Sequence, residues 1–166
     1  LNKIYSFDEQ IELQEQCYSL LKTWLSLNPN IIRVWDSEFD DDWHNGIDCY
    51  IETNKNKIYA IQVKVDFWID RTNNLPFETI SQAYSDRPSV IGAEFNYPKV
   101  DYIFYIFAES KKVLGYKFKP LLEYVINNYR EYKNFKANNK TYKTLGCLVP
   151  VDSVKHLVTH SGYIIT

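Results

Sequence analysis

The sequence predicts an α/β domain in which a mixed central sheet is flanked by helices. Three observations predict it. The N-terminal segment has helical periodicity behind a capping signal. Two strand-like segments then stand side by side, joined by a short Asn-rich turn. Further strand-like segments alternate with a second helical one. At 166 residues the chain is long enough to bury its own core as one domain, 1–166, and no linker, repeat or low-complexity tract divides it.

Residues 7–25 read as an amphipathic helix. Ser6 and Glu9 form an S-x-x-E capping box, and Phe7, Ile11, Tyr18, Leu21 and Leu25 recur at helical spacing. Pro29 follows its end, and Ile31 to Trp35 read as a short strand. The acidic stretch DSEFDDDWHNG is expected to be a loop. Residues 47–53 and 57–66 have strand composition, with Asn54-Lys55-Asn56 as the turn between them. Residues 67–100 read as an extended piece around Leu75 to Ile80 and then loops marked by Pro88, Gly92 and Pro98. Strands return at 102–108 and 113–118, and a helix is expected from Pro120, as its first residue, to about Tyr132. A basic, Asn-rich loop precedes a short strand at 147–149, and one helical turn is expected after Pro150.

Composition excludes several classes. No stretch approaches the roughly 18 uninterrupted apolar residues of a membrane span, so no membrane partner is expected. The opening LNKIYSFDEQ soon turns acidic, unlike a secretory leader, and with three scattered cysteines (Cys17, Cys49, Cys147) the expected location is cytoplasmic, with reduced thiols. His44, His156 and His160 lack a zinc-ligand spacing with those cysteines. No nucleophile-elbow glycines frame a serine, and no phosphate-binding G-x-x-x-x-G-K loop occurs. The charge is divided. Residues 1–109 hold nine Lys/Arg and eighteen Asp/Glu, net −9, whereas residues 110–166 hold ten and three, net +7. That division suits carboxylates gathered around a cation and a basic surface for a polyanion, or else two solvated faces.

Strand parity gives the central expectation. Asp48, Tyr50 and Glu52 share one face of their strand, opposite Ile47, Cys49 and Ile51. In the next strand Ala60, Gln62, Lys64 and Asp66 share a face. A three-residue connection pairs Thr53 with Lys57, and continuing that register sets Asp48 across from Gln62, with Lys64 two residues further on. A hard cation such as Mg²⁺ takes oxygen ligands, and Asp48, the Gln62 side-chain carbonyl and the Val63 backbone carbonyl can supply three. Lys64 would then orient an attacking water and stabilise charge developing on a phosphorane-like transition state. The alternative is that these side chains lie on the solvent side of an edge strand.

The segment GIDCYIETNKNKIYAIQVK, residues 46–64, resembles the core motif of the PD-(D/E)xK nuclease superfamily, in its Mrr-type variant, where G-x-D precedes a hairpin ending in Q-x-K. The resemblance implies a restriction-endonuclease-like α-β-β-β-α-β core and Mg²⁺-dependent hydrolysis of DNA phosphodiesters, Mn²⁺ being a possible substitute. Asp48, Gln62 and Lys64 would be the motif residues. Two departures stand out: Ile47 replaces the usual proline, and neutral Gln62 replaces the usual acidic ligand. Family members often carry an acidic residue on the first helix. Glu15, at the edge of the apolar stripe, is the best match here, the alternative being an exposed helix glutamate. Asp40, Asp41 and Asp42 offer a second source of carboxylates, or a solvated loop. Glu78, in the R-x-x-N-x-x-x-E stretch after the lysine, resembles a segment of some nuclease-like proteins and is expected to have a secondary role. Arg130, Lys133, Lys136, Lys140 and Lys143, interleaved with Tyr129, Tyr132, Phe135 and Tyr142, are the candidate nucleic-acid contacts. Small nucleases of this kind commonly act as homodimers. The other reading is a catalytically idle nuclease-fold protein that binds nucleic acid or a protein partner.

Overall fold

The computed structural model describes residues 6–83, 90–91, 99–138 and 142–164. It begins with the capped helix. The Ser6 hydroxyl accepts from the Glu9 N–H at 3.3 Å and the Glu9 carboxylate accepts from the Ser6 N–H at 2.8 Å, so both halves of the box form. Helix α1 (Phe7–Ser26) leads into β1 (Ile31–Asp36), a short α2 (Phe39–Asn45), β2 (Cys49–Thr53) and β3 (Ile58–Asp66). After a one-turn α3 (Ile69–Thr72) come β4 (Asn74–Ala83), β5 (Val90–Ile91), β6 (Tyr102–Phe107) and β7 (Lys112–Lys117). Helix α4 (Phe118–Asn128), a 3₁₀ turn at 129–131, β8 (Lys133–Asn138), β9 (Lys143–Pro150), a 3₁₀ segment at 151–157 and β10 (Val158–Tyr163) complete the order.

Two sheets result. The larger has six strands in the order β1-β2-β3-β6-β7-β10, mixed because β3 and β6 run parallel while its other neighbours are antiparallel. The smaller has four, β5-β4-β9-β8, all antiparallel. Helix α1 lies on one face of the larger sheet, where Cys17, Leu21 and Leu25 meet Cys49, Ile51, Ile61, Phe104, Ile106 and Val113. The other face, with Ala60, Ile103, Tyr105 and Tyr116, packs on Leu75, Phe77, Cys147 and Val149 of the smaller sheet and on Phe118, Leu121 and Val125 of α4. Strand β6 is buried on both faces, and its sequence YIFYIF is accordingly apolar without alternation. No described helix is long and apolar enough to cross a membrane.

From Cys49 to Thr53 the β2–β3 register agrees with the expectation, but the expected pairing of Asp48 with Gln62 does not form, because β2 begins only at Cys49 and the Asp48 N–H donates to the Ile61 carbonyl. Glu52 faces Ile58, Tyr50 faces Ala60 and Cys49 faces Ile61, and Thr53 N–H donates to the Lys57 carbonyl. The turn is closed by Asn56 in the left-handed region at φ 56°, which Asn tolerates better than most residues. Five further expectations need correction. The acidic stretch contains α2 rather than being loop throughout. The basic stretch after α4 is a hairpin, β8 and β9, because Phe135 and Leu145 find cover that a solvated loop would not need. Strand β10 was missed, since its alternation of half-buried and exposed residues is carried by Thr, His, Ser and Gly rather than apolar side chains. Ile47 packs with the smaller-sheet cluster instead of sharing a face with Cys49 and Ile51, because the chain turns at Asp48. Helix α4 begins at Phe118, putting Pro120 third rather than first; its missing N–H is still among those the first turn leaves unbonded.

Candidate active site

Strand β2 begins only at Cys49, whereas β3 runs on to Asp66, so the edge of β3 beyond Ile61 has no β2 partner. Asp48 turns into that notch. Its N–H donates to the Ile61 carbonyl at 2.9 Å, although Ile61 already faces Cys49, so two residues stand against one as in a β-bulge. Its carboxylate Oδ2 then accepts from the Val63 N–H at 2.5 Å, replacing the carbonyl that a longer β2 would have presented. In a strand the N–H and C=O of one residue point to the same side, so the Val63 carbonyl is turned toward the notch as well. The Asp48 carbonyl is fixed in turn by the Ser37 N–H at 3.0 Å and by the Tyr18 hydroxyl, which lies 2.8 Å from both this carbonyl and Asp36 Oδ1 and shares its one proton between them. Gly46 provides the left-handed turn, φ 62°, that brings the chain from α2 into this position.

Gln62 and Lys64 follow from β3 on the face turned toward the smaller sheet. Gln62 is 6% exposed, and its side-chain oxygen has no hydrogen-bond partner among the described residues. Leaving such an oxygen buried and unbonded costs on the order of 1–3 kcal/mol. The Lys64 ammonium lies 3.1 Å from the Glu78 carboxylate of β4. Together Asp48, Gln62, Val63 and Lys64 line an open cleft of about 640 Å³, closed on one side by Glu15 and Tyr18 of α1, on another by Asp42 of α2 and by Glu78.

The electrostatics of the cleft are unbalanced toward the acidic. Burial pushes the Asp48 carboxyl up to about 7; Asp42 adds to the rise, while the Val63 N–H and Lys64 oppose it without compensating. Asp66 is also raised, again chiefly by burial, although Trp68 and Ile69 N–H groups donate to it at 2.8 and 2.7 Å. Asp36, by contrast, is held below the usual carboxylate range by hydrogen bonds from the Lys22 ammonium and the Tyr18 hydroxyl.

Five residues singled out from the sequence, Asp48, Gln62, Val63, Lys64 and Glu15, thus line one cleft, and Asp42 and Glu78 border it. Asp40 is exposed, and the Asp41 side chain lies outside the described residues. The basic set is not brought together. Lys136 stands across from Leu145 and Lys143 across from Asn138, so those two lysines share a face, whereas Lys133 is on the opposite face of β8. Arg130 is exposed on its 3₁₀ turn, and Lys140 lies outside the described residues. Tyr129 and Tyr132 pack against the core rather than offering free rings. Sequence reasoning missed the Tyr18–Asp36–Lys22 group that clamps the Asp48 backbone; the signal was Tyr18 and Lys22 one helical turn apart, the ammonium 4.6 Å from the ring centre.

The donor set suits a hard cation by its chemistry. A carboxylate with too little positive charge around it, a buried amide oxygen without a partner and a backbone carbonyl on the same edge are all oxygen ligands of the kind Mg²⁺ accepts. No group of three His, Cys, Asp or Glu side chains forms a metal site among the described residues, so a site here depends on the amide and carbonyl oxygens. No protein-family model, curated protein or solved structure matches the chain.

Proposed function

We propose that this chain is a metal-dependent nuclease that hydrolyses DNA phosphodiester bonds in the cleft around Asp48. The observation that carries the reading is the Gln62 side-chain oxygen, buried and unpartnered among the described residues, beside a carboxyl that burial and Asp42 push up to about 7. A divalent cation such as Mg²⁺ relieves both. Asp48 and Gln62 would hold it, with the Val63 carbonyl and Glu15 in support. When bound, such an ion neutralises charge on a scissile phosphate and lowers the pKa of a water near it. Asp48 is pre-set for this by bonds to its N–H, carbonyl and carboxylate, so little reorganisation accompanies binding. Lys64, aligned by Glu78, orients the attacking water and offers positive charge where the phosphate gains negative charge. The order α1-β1-β2-β3, followed by a β6 parallel to β3, supports a restriction-endonuclease-like core. Among the described residues, the route from β3 to β6 carries the one-turn α3 and the strands β4 and β5.

The experiment is cleavage of supercoiled plasmid and of a single-stranded oligonucleotide with Mg²⁺, Mn²⁺ or EDTA. Cutting that needs metal, and that disappears in both Asp48→Ala and Lys64→Ala while folding is retained, is the expected result. A second reading, an idle nuclease-fold protein that binds nucleic acid, draws on the neutral Gln62 and on the ion pair that engages Lys64. It predicts salt-sensitive DNA binding without cutting in any metal.

A further inference from the structure

A second concave site lies apart from the acidic cleft, under the C-terminal end of α1. From Glu15 to Leu25 the helix axis advances about 15 Å. The site has a volume of about 650 Å³, inside the range of roughly 300–1,000 Å³ common for small-ligand sites. Aromatic rings form its walls. Trp24 meets Phe104 edge to face with centroids 6.4 Å apart, and Tyr59 meets Tyr102 at 5.5 Å and 84°. Aliphatic side chains such as Leu25 and Ile51 fill in between the rings, Asn28, Asn30 and Thr and Ser hydroxyls add polar groups, and no Asp, Glu, Lys or Arg contributes to the lining. A phosphate finds no counter-charge there, and an ammonium finds no carboxylate. A flat, neutral ligand with polar edges finds both ring surfaces and hydrogen-bonding groups.

One of those groups has a defined sense. The Thr159 hydroxyl donates to the Gly115 carbonyl at 3.1 Å and lies 2.9 Å from His160 Nδ1. A hydroxyl has one proton, so toward the imidazole it accepts, and Nδ1 carries the hydrogen. Burial keeps the His160 ring below its usual pKa and hence neutral, leaving Nε2 an acceptor. The ring is braced by Tyr102 at 5.7 Å and Phe104 at 5.8 Å.

We propose that this pocket binds an uncharged nucleobase ring, packed among Trp24, Tyr59 and Tyr102, with an amino or ring N–H of the base donating to His160 Nε2. The proposal does not rest on the metal site, since no residue is shared between the two cavities. The base can come from a free nucleoside or from a nucleic-acid strand, and the pocket chemistry is the same for both.

The test is a titration of ¹⁵N-labelled protein with adenosine, cytidine and thymidine in the absence of metal, following the Trp24 indole and His160 imidazole signals. Saturable shifts of both with at least one nucleoside, while the Gln62 side-chain amide stays in place, are expected. Tyr59→Leu and His160→Phe should each weaken that binding about tenfold, the loss of one stacking wall or one hydrogen bond. His160 is only half-buried, so His160→Phe carries the test if Tyr59→Leu fails to fold. Displacement of the nucleoside by a single-stranded oligonucleotide would assign the site to a base in a strand; no displacement would assign it to a free nucleoside. Absence of a saturable shift with all three nucleosides, or binding unchanged in both folded variants, overturns the proposal.

Discussion

Asp48 sets the needs of the proposed metal site against those of the fold. Its unfolded-state carboxyl titrates near the ordinary 3.8, whereas in the folded protein burial moves it up to about 7. The folded state therefore binds the proton more tightly, and stability falls as pH rises from about 4 to about 7, then levels off. Below pH 4 both states are protonated and the penalty vanishes. Asp48→Asn removes the titration and can keep an oxygen for the Val63 N–H. Chemical denaturation should find the variant equal to wild type at pH 4 and more stable at pH 8, by on the order of 2–4 kcal/mol. Mg²⁺ at pH 8 should stabilise wild type and leave the variant unmoved. Equal stability of the two proteins at both pH values would contradict the buried, uncompensated carboxyl. Gln62 gives the companion prediction. Gln62→Glu replaces a neutral oxygen of the proposed metal site with a charged one, so calorimetry should find Mg²⁺ bound at least about tenfold more tightly. Without metal that variant should be less stable than wild type, because it adds a second buried charge beside Asp48.

The elements that position these residues were legible in the sequence to different degrees, for physical reasons. Helix α1 declares itself through its capping box and spacing, but its buried stripe starts later than the spacing predicts: Phe7 is 75% exposed, and Cys17 is the buried member instead. The β2–β3 register was legible because turn length and alternation both fix it. The bulge at Asp48 was not, since it arises where a strand ends, a tertiary fact without a local signature. The β8–β9 hairpin was hidden by its charge, and its packing depends on a close approach. A Cβ added at Gly146 would lie 2.5 Å from the Phe135 ring, and nearer still to the Phe77 carbonyl of β4, which is backbone and cannot swing away. Gly146→Ala should therefore destabilise the protein by at least about 1–3 kcal/mol, measured by urea denaturation. It should do so by parting β4 from β9, so amide exchange would quicken in β4, β8 and β9 before β6. An unchanged midpoint would mean that this approach is looser than the geometry requires.

At the scale of the molecule, the division of charge along the chain becomes a division in space. The acidic N-terminal part supplies the cleft, and the basic C-terminal part supplies the β8–β9 hairpin on the neighbouring sheet. In that hairpin Asn134 stands across from buried Cys147, so the face that continues through Lys136 and Lys143 is the one turned toward the larger sheet. Lys133 points the other way with Phe135. If DNA lies across the cleft, its phosphates meet Lys136 and Lys143 and miss Lys133. Each lost phosphate contact should reduce the slope of log K against log salt by about one and weaken binding alike for all sequences. Lys136→Ala and Lys143→Ala should both do this, and Lys133→Ala should not, with urea midpoints unchanged because all three side chains are exposed. Lys64→Ala should differ in kind, losing metal-dependent cutting even when DNA is saturating, whereas the two hairpin variants should still cut once saturated. A loss of slope shared equally by Lys133 and Lys136 would instead describe an undirected cationic arm, and the face assignment at the hairpin would have to be abandoned.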